Sequence, residues 1–204
     1  GQINGTTGYE EAAGQGFIAG VNASLNAKSK EPFILDRSES YIGVLIDDLV
    51  TKGTSEPYRM FTSRVEYRLL LREDNADQRL MEIGHKKLGL VSNAQYKSIL
   101  LKKDNINKAL EKIKSQKIYP NAQVNARLKR LGVAPISNAA SLFDLLKRPE
   151  VGFNMLEKIN KNGKIALSPK ETQQVEIEVK YKGFMDRQVN EIENFRKIEH
   201  IKIP

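Results

Sequence analysis

Five arginines lie between Tyr58 and Arg79: Arg59, Arg64, Arg68, Arg72 and Arg79, interleaved with Tyr58, Phe61 and Tyr67. A guanidinium group is a planar fork of donors that grips a phosphate through paired hydrogen bonds and stacks on a base, and an aromatic ring offers a base a second face. The spacing of Arg64, Arg68 and Arg72 sets three forks on one side of the segment, whether it is helical or extended. The sharp reading is RNA binding. The alternative is an ion-pair lattice in which Glu66, Glu73, Asp74 and Asp77 neutralise the same arginines. A second candidate is the opening turn GQINGTTGY. A glycine-rich turn feeding a helix brings backbone amides and the positive helix end up to an anionic or carbonyl-bearing ligand; otherwise it is a structural helix start. Asp47 and Asp48 beside Glu39 are paired carboxylates of the type that splits pKa values for acid and base work. Nothing fixes their geometry, and no nucleophile, base and orienting group stand at a recognisable spacing, so catalytic residues stay unassigned.

The elements that must position these groups are mostly helical. A small-residue pattern from Tyr9 to Ala27 predicts a helix, capped by Thr6 or Thr7, with Glu10 and Glu11 suiting the positive end of its dipole. Gly14, Gly16 and Gly20 inside it cost roughly 1 kcal/mol each relative to alanine unless close packing requires them. They imitate part of a dinucleotide fingerprint, but the spacing is wrong and no strand precedes them. YIGVLIDDLV reads as a short buried helix or strand.

From about Asn75 onward the signals are helical. Ser92 and Gln95 form a capping box, followed by an apolar face of Tyr96, Ile99, Leu100, Ile106, Leu110 and Ile113 opposite a lysine face, with Pro120 closing the element. NAQVNARLKRLG predicts a helix ending at Gly132, and Ser141 caps a short helix that stops at Pro149. VEIEVKY alternates like a strand, yet Ser168, Pro169 and Glu171 form a helix start and Ile177, Tyr181, Phe184, Gln188, Ile192 and Phe195 keep helical spacing. A long helix, interrupted or weakened near Gly183, is the reading.

Thirty-three Lys and Arg against 25 Asp and Glu give a net charge of +8, which favours an anionic partner. The absence of cysteine excludes disulfides, thiolate nucleophiles and cysteine zinc sites, and His85 and His200 read as surface or helix-end residues, so no metal site is expected. No stretch approaches the roughly 18 apolar residues of a membrane helix, and no signal peptide is evident, which sets a cytoplasmic expectation. Without an initiator Met at position 1, the biological chain is expected to be longer.

The runs GQINGTTGYEEAAGQGFIAGVNA, RSESYIGVLIDDLVTKGTSEPYRMFTSRVEYRLLLREDNADQRL, LLKRPEV and QVEIEVKYKGFMDRQ resemble the MnmG (GidA) family of tRNA-modifying flavoenzymes, in order and spacing. The resemblance implies a mainly α chain: the tail of an FAD-binding α/β domain followed by a helical carboxy-terminal domain. The expected divisions are 1–30 as the closing segment of the FAD domain, 31–80 as a basic connecting region and 81–204 as a helical tRNA- and partner-binding domain. It further implies FAD and NADH as cofactors of the full-length enzyme, homodimerisation, and action with the GTPase MnmE on C5 of uridine 34. Gln2 would match the flavin-contacting glutamine, with Asn4, Gly5, Thr6 and Thr7 as the adjoining turn. Arg59 and Arg68, with Arg64 and Arg72 nearby, would match the surface that receives tRNA. The family's amino-terminal FAD fingerprint, NADH insertion and functional cysteines lie outside this sequence, as does its last partner-binding segment, so this piece alone should not catalyse the reaction. Two alternatives stand beside this one. A helical protein-interaction or dimerisation module would not bind RNA directly. A sister flavoenzyme that methylates tRNA with folate shares a similar closing motif, but the long basic helical region that follows argues against it.

Overall fold

The computed structural model describes residues 1–160 and 165–199, so His200 falls outside the described residues. Eight α-helices, three short 3-10 turns and one two-stranded ladder are formed among them. The chain divides into two compact units, one of residues 1–90 with the chain from Gln188 onward, the other of residues 91–187.

In the first unit, α1 (Tyr9–Ala27) begins at Gly8, which no side chain caps, in place of the expected threonine. Thr6 is fully buried and its hydroxyl is committed elsewhere, which removes it from capping. α2 (Tyr41–Thr51) resolves the helix-or-strand ambiguity as a helix, because Ser40 accepts from the Gly43 N–H and fixes a helical start. α1 and α2 pack through Gly14, where an added Cβ would lie 3.4 Å from Leu45. Gly16 and Gly20 face open space. α3 (Ala76–Lys86) follows, with His85 in its last turn. Val44, Val65 and Leu71 form a small buried cluster flanked by Tyr41, Met60 and Tyr67. The side-chain amide of Asn22 clasps the returning strand of chain, accepting from the Phe33 N–H at 2.6 Å and donating to its carbonyl at 3.0 Å.

In the second unit, α4 (Asn93–Ser115) starts at the predicted capping box, with both reciprocal bonds made. It ends at Ser115, short of Pro120, because Lys117 and Ile118 leave the helix to form β1 against β2 (Ala140–Ser141). α5 (Ala122–Arg130) and α6 (Leu142–Leu146) match the reading, and α7 (Phe153–Ile159) is an addition to it. The core joins Ile106 and Ile113 of α4, Leu128 of α5, Leu142 and Leu145 of α6, Phe153 and Leu156 of α7, and Val175 and Val179 of α8 (Pro169–Glu199). Each such side chain contributes on the order of 1.5–3 kcal/mol by leaving water. Leu100, assigned to the apolar face of α4, is instead 44% exposed. Asn125 repeats the amide clasp on Ile136, at 3.0 and 3.1 Å. α8 runs unbroken through Gly183, which is exposed: a glycine weakens a helix but, unlike proline, deletes no hydrogen bond. No helix among the described residues is long and apolar enough to cross a membrane.

Candidate functional site

The arginine segment is neither the helix nor the strand that would align its forks. From Tyr58 to Asn75 it folds as a 3-10 turn at Thr62–Arg64, a turn over residues 66–70 and a second 3-10 turn at Glu73–Asn75, and Arg79 alone stands on a helix, α3. The arginines consequently separate into two groups. Arg59, Arg64 and Arg68 are exposed, and Arg68 makes no ion pair among the described residues. Arg72 turns inward, donating to Asp74 at 3.0 Å and to the Leu69 carbonyl. Arg79 donates to Asn75 at 2.8 Å and to the Arg72 carbonyl at 3.0 Å, and burial lowers its pKa. Arg72 and Arg79 therefore hold the loop, while the first three face solvent.

Beneath the exposed arginines lies a charge hub that sequence reasoning missed. Arg37 donates through Nη1 to Asp47 at 2.8 Å and Asp48 at 2.7 Å, and through Nε to Glu66 at 2.7 Å. No periodicity connects an arginine with acids 10, 11 and 29 positions away; two acids embedded in the apolar YIGVLIDDLV were the available hint. Asp48 is 1% exposed and also accepts from Lys52 Nζ at 2.8 Å and the Tyr58 hydroxyl at 2.8 Å. Burial opposes its ionisation, but the Lys52, Tyr58 and Arg37 hydrogen bonds outweigh it and hold the carboxyl at about 2. Burial and the anionic Asp48 push the Tyr58 phenol up. A carboxyl held ionised by three donors has no proton to give near neutral pH and its oxygens are already engaged, so Asp48 is structural.

The opening turn adjoins this segment. Gln2–Asn4 form a 3-10 turn closed by Gly5 at φ +88°, where a side chain would be strained and an added Cβ would lie 2.5 Å from Thr54 Oγ1. Gln2, Asn4 and Thr7 are exposed, Gly5 is half-buried, and Thr6 is turned into the fold, accepting from Gln15 Nε2 at 2.9 Å. Gln15 is a second buried residue the sequence did not single out. The Tyr58 N–H donates to the Gly5 carbonyl at 2.6 Å, and Thr6 and Tyr58 form a parallel bridge. Glu11 extends the lacing: its Oε1 accepts from the Met60 N–H at 2.9 Å and from Arg59 Nε at 3.3 Å. The Met60 N–H lowers the Glu11 pKa. Its Oε2 is buried without a partner. An added Cβ on Gly8 would lie 1.7 Å from that oxygen, so only glycine fits there without movement.

Comparisons with known proteins follow this geometry. Residues 93–189 match the family described as the tRNA modifying enzyme MnmG/GidA C-terminal helical domain, and residues 1–31 match the family described as glucose inhibited division protein A. The "tRNA uridine 5-carboxymethylaminomethyl modification enzyme MnmG" of Caldicellulosiruptor saccharolyticus is 53% identical over all of this chain, and that of Geobacter sulfurreducens 50%. The chain spans 32% of the length of each. The structure of Aquifex aeolicus GidA superposes with a TM-score of 0.83 at 41% identity, covering 100% of this chain and 31% of that one. The chain belongs to the MnmG/GidA family and corresponds to about a third of its members' length.

Proposed function

We propose that this chain is the part of a tRNA-modifying flavoenzyme that closes the FAD domain and presents a cationic surface to tRNA. The observation that carries the reading is that exposed Arg59 and Arg64 adjoin Tyr58, whose main-chain N–H bonds the Gly5–Thr6 turn, with exposed Arg68 following on the same segment. The names of the relatives support tRNA as the substrate. Residues 1–30 close the flavin domain, 31–80 form the basic connection and 81–204 supply helical contacts to tRNA and to the GTPase MnmE. The reaction is modification of C5 of uridine 34, with NADH as reductant and a homodimer as the working form.

The turn fits a flavin: exposed amide side chains at Gln2 and Asn4 and the Thr7 hydroxyl stand beside a helix start that no side chain caps. FAD supplies redox chemistry when bound. Gln2, Asn4, Gly5 and Thr7 hold it, while Thr6 supports the turn from within. Arg59, Arg64 and Arg68 grip phosphates, and Arg72 contributes by fixing the loop that carries them.

The test is tRNA affinity against salt concentration in the full-length protein. R64A and R68A should each weaken binding across tRNA sequences and reduce the salt slope by about 1. Slopes equal to that of the unsubstituted protein would remove the reading. The exposed Tyr181 and Phe184 of α8 favour a second reading, a helical interaction module. Light scattering of a Y181S/F184S variant, with loss of the oligomer but intact tRNA binding, would support that reading for α8.

A further inference from the structure

Tyr58 is 3% exposed, yet one face of its ring carries the guanidinium of exposed Arg64, whose Cζ lies 4.5 Å from the ring centroid. The ring and its main chain are each tied down. The hydroxyl donates to Asp48 at 2.8 Å, and the main-chain N–H donates to the Gly5 carbonyl at 2.6 Å within the parallel Thr6–Tyr58 bridge. Asp48 is itself fixed by Arg37 and Lys52. A phenol donating to a carboxylate carries added electron density on its ring, which is the face Arg64 meets, so the buried acid strengthens the attraction for the cation above it. From below, the Arg64 main chain is held as well: its N–H donates to Phe61, and its carbonyl accepts from Arg37 Nη2 at 3.4 Å. Arg59 is steadied by Glu11, whereas Arg68 has no comparable support.

We infer that Tyr58 is a positioning residue for the nucleic-acid surface: its ring is the shelf on which Arg64 rests, and its main chain fastens that shelf to the Gly5–Thr6 turn. The shelf fixes one phosphate-gripping fork before RNA arrives and sets its register against the turn. This rests on the reading that the exposed arginines meet tRNA, and the experiment separates the two.

The measurement is equilibrium tRNA binding by the full-length protein at one moderate salt concentration. Lysine keeps the charge of arginine but loses the planar fork and its stacking, so R64K reads the shelf together with the fork while R68K reads the fork alone. R64K should weaken binding by about two- to five-fold, the range of an exposed cation–aromatic contact, and by clearly more than R68K. Y58L should weaken binding about as R64K does, Y58L/R64A should be no weaker than R64A, and Y58F, which retains the ring, should recover most of the loss. Equal effects of R64K and R68K would overturn the inference, as would additive effects of Y58L and R64A. Both arginine variants are surface changes, so their comparison decides the matter even if Y58L does not fold. If R64A and R68A both bind tRNA like the unsubstituted protein, the RNA-binding reading itself fails and the inference falls with it.

Discussion

Replacing Asp48 with asparagine removes one charge from a site where three donors converge, and its cost follows from the geometry. The carboxyl has an ordinary value of 3.8 and is held at about 2 in the fold. At about 1.4 kcal/mol per pH unit, this preference for the ionised form contributes about 2 kcal/mol of stability at neutral pH. Asparagine retains an acceptor for the Tyr58 hydroxyl but turns an NH2 group toward Arg37 or Lys52, so D48N should lose at least that amount. The sign of the pH dependence is fixed by the direction of the shift. A carboxyl held below its unfolded value contributes stability that is fully present above pH 3.8 and disappears as pH falls through about 2. Urea unfolding of the unsubstituted chain and of D48N, repeated from pH 7 to pH 2, should show a constant gap that closes below pH 4. A gap below about 0.5 kcal/mol at pH 7, or one that persists unchanged to pH 2, would refute the electrostatic account of the hub.

Four glycine substitutions test the packing. G43A should be severe, about 3 kcal/mol or more in urea unfolding, because its Cβ would lie 2.3 Å from the Asp36 main-chain carbonyl, which cannot swing away. G8A should cost about 1–3 kcal/mol by driving the buried Glu11 carboxylate from its place, and a shift in the Arg59 environment should accompany it. In this chain G16A and G20A should each gain up to about 1 kcal/mol in thermal melts, since open space surrounds both and alanine favours the helix. A loss at either would show that those positions are covered.

Local signals carried the helical part of the fold. Ser92 with Gln95 and Ser168 with Glu171 marked two helix starts because capping is chemistry within four residues of chain. α2 stayed ambiguous until its Ser40 cap was visible, since ten apolar-rich residues satisfy either period. The two-residue ladder of Lys117–Ile118 was illegible because period-two alternation needs a longer run. The site divides in the same way. Residue type and clustering identified the arginines and the glycine turn, whereas the sorting into exposed Arg59, Arg64 and Arg68 and inward Arg72 depended on an irregular backbone with no period. Arg37 and Gln15 were missed, and Glu11 was read only as a helix-dipole acid, because their partners are separated from them by 9 to 49 positions.

The paired amide clasps of Asn22 and Asn125 have a consequence for chemical ageing. Each side chain acts as a spare peptide group, offering one acceptor and one donor to the main chain of a loop. Hydrolysis of the amide would yield aspartate, identical in shape but with two acceptors, one of which would then confront a carbonyl oxygen. A single deamidation, adding only one mass unit, would thus release one edge of the loop and convert an attraction into a repulsion. Both asparagines sit within helices, where the rigid backbone hinders the ring closure that deamidation requires, so the clasps occupy positions that preserve them.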